Sequence, residues 1–200
     1  MYLSMAIVFL LIAGCKKENS NNYSIDSTSF VEWKGSSPVT ANNGTFLVTG
    51  NGLRVKENKV TEGSFTIPIS SINVMNLTGD LKQMLTDHLK SPDFFNIALH
   101  PTAGFKITKV QDIIGEIPEG AIDGANVLVQ GELTLVGVAK SIAFPAKIVI
   151  ANDKMEVKAL LKINRLDWGI DYAADPELGE HHIYPMVDLF VYVSGNKMND

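Results

Sequence analysis

The stretch TDHLKSPDFFNIALHPTAGFKI, Thr86 to Ile107, sets how the rest of the chain is read. It begins as the end of a short amphipathic helix, which Ser91-Pro92-Asp93 stops because a proline ring cannot continue the helical ladder. Phe94 and Phe95 are then directed inward. After His100-Pro101 the chain enters a strand carrying Phe105 and Ile107. A helix-to-strand corner this rich in aromatics has to close over apolar surface.

Outward from that corner the dominant period is two. Val31 and Trp33 alternate with Phe30, Glu32 and Lys34, and Phe65, Ile67 and Ile69 with Thr66, Pro68 and Ser70. The same alternation runs through 127–135, 142–150, 155–163 and 187–193. It predicts strands with one buried and one solvated face, which is antiparallel behaviour. Asn152-Asp153 reads as a tight hairpin, and Glu57-Asn58-Lys59 and Gly137 to Lys140 as similar turns. Gly35-Ser36-Ser37 and Gly50-Asn51-Gly52 read as further turns without the strand and helix that flank a phosphate loop. The expected fold is all-β, with about eight antiparallel strands closing a barrel. One short helix over 79–90, with Leu81, Met84, Leu85 and Leu89 on one face and Thr78 as its cap, closes an end.

A hydrophobic share of 46% and a charged share of 20% favour one domain with a real core. The net charge of −5, with Lys and Arg scattered, gives no electrostatic reason to bind nucleic acid. Met1 to Ala13 is almost wholly apolar and shorter than the roughly 20 residues that span a bilayer. It reads as a secretory leader, although no Lys or Arg precedes it. Leu11-Ile12-Ala13-Gly14-Cys15 resembles a bacterial lipobox, in which cleavage leaves the cysteine as a lipidated N-terminus. The expected division is a leader over 1–14, lipidated Cys15 with a polar tether over 15–22, and a barrel domain over 23–196. That places the protein in the bacterial envelope, held on the membrane by its N-terminus.

Catalytic groups are few. His88 falls near the helix end, and His100 precedes a proline at a strand entrance. His181-His182 beside Glu177 and Glu180 is the nearest approach to a metal constellation, but adjacent strand residues point to opposite faces. The expectation is a protein without catalytic activity, resident metal or cofactor. What stands out is apolar: Trp33, Phe46, Phe65, Phe94, Phe95, Phe105, Phe144 and Trp168. An eight-stranded barrel is wide enough either to be filled by such side chains or to hold one small ligand, and periodicity leaves both open.

Two motifs bear on that choice. Asp87-His88-Leu89-Lys90-Ser91-Pro92-Asp93-Phe94-Phe95-Asn96, continuing to His100-Pro101 and Phe105-Lys106, resembles the signature of the YceI-like family. Gly131 to Lys140, GELTLVGVAK, is similar to that family's hairpin motif, and the resemblance extends over roughly Tyr23 to Gly195. It implies an extended, lipocalin-like barrel in the bacterial envelope whose apolar lumen takes a long isoprenoid chain, a polyprenyl phosphate or a quinone. Trp33, Phe65, Phe94, Phe105, Leu133 and Phe144 are the expected lumen residues, with Leu85 and Leu89 closing one end. The reading admits a monomer or a homodimer. The segments Ile113–Ala125 and 169–182 are longer than the family pattern, and both fall where a pocket mouth is remodelled.

Overall fold

The computed structural model describes residues 20–199, so the leader and Cys15 lie outside the described residues. The chain runs β1 (Ser20–Tyr23), β2 (Phe30–Ser36), β3 (Ala41–Leu47), β4 (Thr49–Lys56), β5 (Lys59–Pro68) and β6 (Asn73–Val74). α1 (Gly79–Lys90) follows, then β7 (Thr102–Asp112), β8 (Val127–Leu135), β9 (Val138–Ala151), β10 (Lys154–Asn164) and β11 (Met186–Asn196). All eleven strands join one sheet, ordered β1-β4-β5-β7-β8-β9-β10-β11-β2-β3-β6, and every pairing is antiparallel.

The sheet curls because one run of chain serves two of its ladders. β3 and β4 are separated only by Val48, yet β3 pairs with β2 and β4 pairs with β5. Following the ladder from β4 through β11 and β2 to β3 therefore returns to the starting run. Val48 is buried at the bend, and its N–H donates to the Ser29 carbonyl at 3.0 Å. The wall is barrel-like.

Eleven strands replace the expected eight. The bend at Val48 divides one run in two, and the short β1 and β6 add to the edges. Neither has the length to show alternation, since pairing at an edge rests on backbone hydrogen bonds. For the same reason Ser20–Asn22, expected in the tether, are strand: they pair with Arg54–Lys56 while Tyr23 is buried against the core. Gly50-Asn51-Gly52 is not a turn but part of β4, where the register shifts between Gly50 and Gly52. Gly52 has φ 87°, and a Cβ there would strike the Tyr23 carbonyl, so only glycine lets β1 approach. Gly35 and Ser36 likewise end β2 rather than open a turn.

Three hairpins turn on two residues with left-handed φ: Glu57-Asn58, Val136-Gly137 and Asn152-Asp153. Such turns match the right-handed twist of the strands they join. The β8–β9 turn thus sits at Val136-Gly137, one residue earlier than the expected 137–140, and 138–140 belong to β9.

α1 is the α-helix among the described residues, with three short 3-10 turns at Ile69–Ser71, Arg165–Trp168 and Pro176–His181 besides it. Thr78 occupies the N-cap position with extended backbone, as expected, but its side chain makes no cap hydrogen bond. Nor is the apolar face fully used. Leu89 is buried, whereas Leu81 and Met84 are 64% and 67% exposed. Only the C-terminal half of the helix reaches the barrel, while the first half overhangs β6, tied by Lys82 Nζ to Asn73 Oδ1 at 2.8 Å.

Two apolar clusters fill the two ends. One joins Tyr23, Leu53, Val55, Val60, Phe144 and Met155, at the end carrying the β4–β5 and β9–β10 turns. The other joins Trp33, Phe46, Ile69, Leu89, Leu133 and Trp168, at the end carrying α1 and the 165–185 connection.

Candidate functional site

Members of both clusters line a cavity of about 440 Å³. Its wall is built by strand parity. Val31 and Trp33 face it from β2, Phe65 and Ile67 from β5, Phe105 and Ile107 from β7, Val129 and Leu133 from β8. Ile142, Phe144 and Ile148 of β9, Val157, Leu161 and Ile163 of β10, and Val187 to Val193 on the odd positions of β11 complete the circle. Leu85 and Leu89 of α1, four residues apart and so on one helical face, close over it with Phe94 and Phe95.

All eight side chains expected in the lumen, Trp33, Phe65, Leu85, Leu89, Phe94, Phe105, Leu133 and Phe144, line this one cavity. The opening corner of the chain explains several of them. Phe95 N–H and Ile97 N–H reach back to the Leu89 and Lys90 carbonyls at 3.1 and 3.0 Å, so the chain folds under the helix end. Phe95 then meets Phe46 edge-on at 5.4 Å. Phe105 lies between Phe65 and Phe144, with ring centroids 6.3 and 5.6 Å away. Gly131 of β8 lies beneath the Phe105 ring, where a Cβ would strike Phe105 and come within 2.5 Å of the Lys106 carbonyl.

Polar groups gather at one end. Ser36, Ser37, Thr40 and Asn42 line the cavity from the β2–β3 connection, and Arg165, Glu180, His181 and Tyr184 from the 165–185 connection. These define the mouth. Arg165 is the one buried cationic side chain among the described residues. Its Nη1 donates to the Ile170 carbonyl at 2.6 Å, Nη2 to the Ile183 carbonyl at 2.8 Å and Nε to the Tyr184 carbonyl at 3.3 Å. Burial pushes its pKa below the ordinary guanidinium value, and nearby Asp171 partly opposes that. The planar fork presents three separate nitrogens at fixed angles, which lets one side chain hold three carbonyls spread along a returning loop better than the single nitrogen of a lysine. A second brace is Trp168, buried, whose Nε1–H donates to the Leu133 carbonyl at 3.0 Å.

Sequence reasoning passed over Arg165, although parity marks it. Met155, Val157, Ala159, Leu161 and Ile163 face inward, and the next odd position is 165. Trp33 also carries a detail beyond apolarity: its buried Nε1 has no hydrogen-bond partner among the described residues.

The histidines are dispersed. His88 Nε2 lies 3.0 Å from Asp93 Oδ2, and its ring packs edge-on against Phe94 and Tyr172. His100 lies over Gly137. His181 reaches the mouth, whereas His182 packs against Tyr184 at 5.3 Å. No three His, Cys, Asp or Glu side chains converge on a metal position among the described residues.

A curled antiparallel sheet around an apolar chamber with a polar mouth defines a barrel-like protein of the internal-cavity class. The chain belongs to the YceI-like domain family, whose model matches residues 23–194. It is similar to the protein YceI of Escherichia coli O17:K52:H18, 32% identical over 114 residues that cover 54% of this chain and 51% of that one. It is also similar to a UPF0312 protein of Pseudomonas aeruginosa strain LESB58, 31% identical over 116 residues with the same coverage. The chain thus spans about half the length of the curated relatives it matches. Among solved structures, BcnA of Burkholderia cenocepacia superposes with a TM-score of 0.64 at 17% identity, over 86% of this chain and 99% of that one. A polyisoprenoid binding domain from Saccharophagus degradans superposes with a TM-score of 0.61 at 14% identity, over 88% and 98%. At these identities the structural likeness shows the fold.

Proposed function

We propose that the protein binds an isoprenoid lipid, of the polyprenyl phosphate or quinone type, without transforming it, and that it does so as a lipid-anchored protein of the bacterial envelope. The observation that carries the reading is the cavity itself. A barrel filled by its own side chains leaves no such space, whereas about 440 Å³ lies within the range of small-molecule sites. Its wall is aliphatic and aromatic through most of its depth, and its polar groups are confined to the mouth. A long hydrocarbon tail gains about 25 cal/mol for each Å² of apolar surface it hides there. A polar head stays at the rim with Ser36, Ser37, Thr40 and Asn42. The similarity to a polyisoprenoid binding domain supports the same class of ligand, and Cys15 after an apolar leader supports the anchor.

Trp33 supplies the test. It lines the cavity, whereas Trp168 is buried and hydrogen-bonded. Titrating a short-chain ubiquinone into the protein is expected to quench saturably the part of the emission that Trp33→Phe removes. Emission that declines only linearly, alike in both proteins, would refute the reading.

A further inference from the structure

The mouth and the start of β1 lie at opposite ends of the barrel. β1 begins at Ser20, paired with Lys56 beside the β4–β5 turn. Lys56 pairs with Lys59 across that turn, and Lys59 forms an ion pair with Asp112, the last residue of β7. The segment 113–126 follows directly, so it lies at the end opposite the mouth and lines no part of the cavity, contrary to the expectation that it remodels the mouth. Its base is fixed: Ile113 N–H donates to the Asn126 carbonyl at 3.0 Å, and the Asn126 amide exchanges hydrogen bonds of 2.8 Å with the Ile148 backbone. From that base the loop holds Ile114 and Ile117 in solvent, 96% and 44% exposed.

We infer that this loop is a second membrane contact, which rests the end of the barrel opposite the mouth on the bilayer that holds the anchor. The inference rests on the reading of Cys15 as the acylated residue. Five residues of chain from Cys15 to Ser20 reach at most about 17 Å. Three strand spacings, β1 to β4 to β5 to β7, separate Ser20 from Asp112 by about 14 Å. An acylated Cys15 therefore keeps Ile114 and Ile117 within reach of the same lipid surface. Glu116, Glu119 and Asp123 belong to the same loop, partly offset by Lys147 beside Gly124, so only the isoleucine side chains enter the lipid and the contact is shallow. Its role is orientation: the acyl chains hold the protein, and the isoleucines point the mouth away from that membrane. The lumen then exchanges its ligand on the side facing away from the anchor.

The test uses the full-length acylated protein in phosphatidylcholine vesicles containing brominated lipid. Acylation consumes the Cys15 thiol, so an environment-sensitive fluorophore attaches only to an introduced cysteine. With Ile114→Cys the label is expected to be quenched several-fold more than with Ser37→Cys. Adding Ile114→Asp and Ile117→Asp to the Ser37→Cys protein is expected to raise quenching at the mouth. Equal quenching at both positions, stronger quenching at position 37, or an N-terminal peptide with free Cys15 would each overturn the inference. Isoprenoid mass in the same preparation reports on the lumen separately.

Discussion

Replacing Arg165 by methionine removes the fork and keeps much of its apolar stem. Three hydrogen bonds to the Ile170, Ile183 and Tyr184 carbonyls are lost. A bond from a charged donor contributes about 1.5 kcal/mol or more, so the gross loss is about 4–5 kcal/mol. Two terms offset it. The buried guanidinium no longer carries its desolvation cost, and the carbonyls recover water where the loop can open. The expected net destabilisation is about 2–4 kcal/mol, set by buried carbonyls left without a donor. Urea unfolding reads it as a lower midpoint at unchanged slope. Hydrogen exchange localises it: the amides of Ile183 and Tyr184, bonded to the Ala173 and Ser36 carbonyls at 2.8 and 2.9 Å, lose protection before the sheet does. Arg165→Lys keeps the charge but not the fork and is expected to recover less than half of the loss. A change under about 0.5 kcal/mol in Arg165→Met, with protection at 183 and 184 intact, would refute the view of Arg165 as the clasp of the mouth.

Three further outcomes follow from the same geometry. Gly131→Ala drives a Cβ into the Phe105 ring and the Lys106 backbone; a loss of about 1–3 kcal/mol in chemical unfolding is expected, with a neutral result counting against the packing. Trp168→Phe leaves the Leu133 carbonyl without its buried donor and is expected to cost about 1–2 kcal/mol, read as a lower melting temperature. Ile142→Trp places an indole in the lumen; it is expected to weaken isoprenoid uptake by about tenfold or more (about 1.4 kcal/mol) while leaving the β-sheet circular dichroism unchanged, and full uptake would locate the ligand elsewhere.

Much of this architecture is legible in the residues, for a definable reason. Long strands packed on one face impose period two, so β2, β5 and β7 to β11 show which side chains face inward. Of the eight positions on the cavity wall, Trp33, Phe65, Phe105, Leu133 and Phe144 follow from parity, Leu85 and Leu89 from the helical stripe, and Phe94 from the Pro92 corner. Parts held by backbone pairing leave no such imprint. β1, β6 and the Asn/Gly-rich run of β3 and β4 carry few apolar side chains, so the bend at Val48 and the bulge at Gly50 emerge only in three dimensions. The helix shows the converse. Leu81 and Met84 continue the apolar stripe of Leu85 and Leu89, but periodicity does not reveal where the barrel beneath them ends. Arg165 fell between the two cases: its inward parity was readable, while a charged residue in an apolar series is easily assigned to the surface.

Whether the lumen is occupied is most directly decided by native mass spectrometry, with organic extraction, of the protein purified from a bacterial host. A bound mass that resolves on extraction into a polyprenyl lipid or quinone, and that is lost in Ile142→Trp, is the predicted result. A clean apo mass that takes up no added isoprenoid would contradict the account and leave the cavity without the ligand proposed for it.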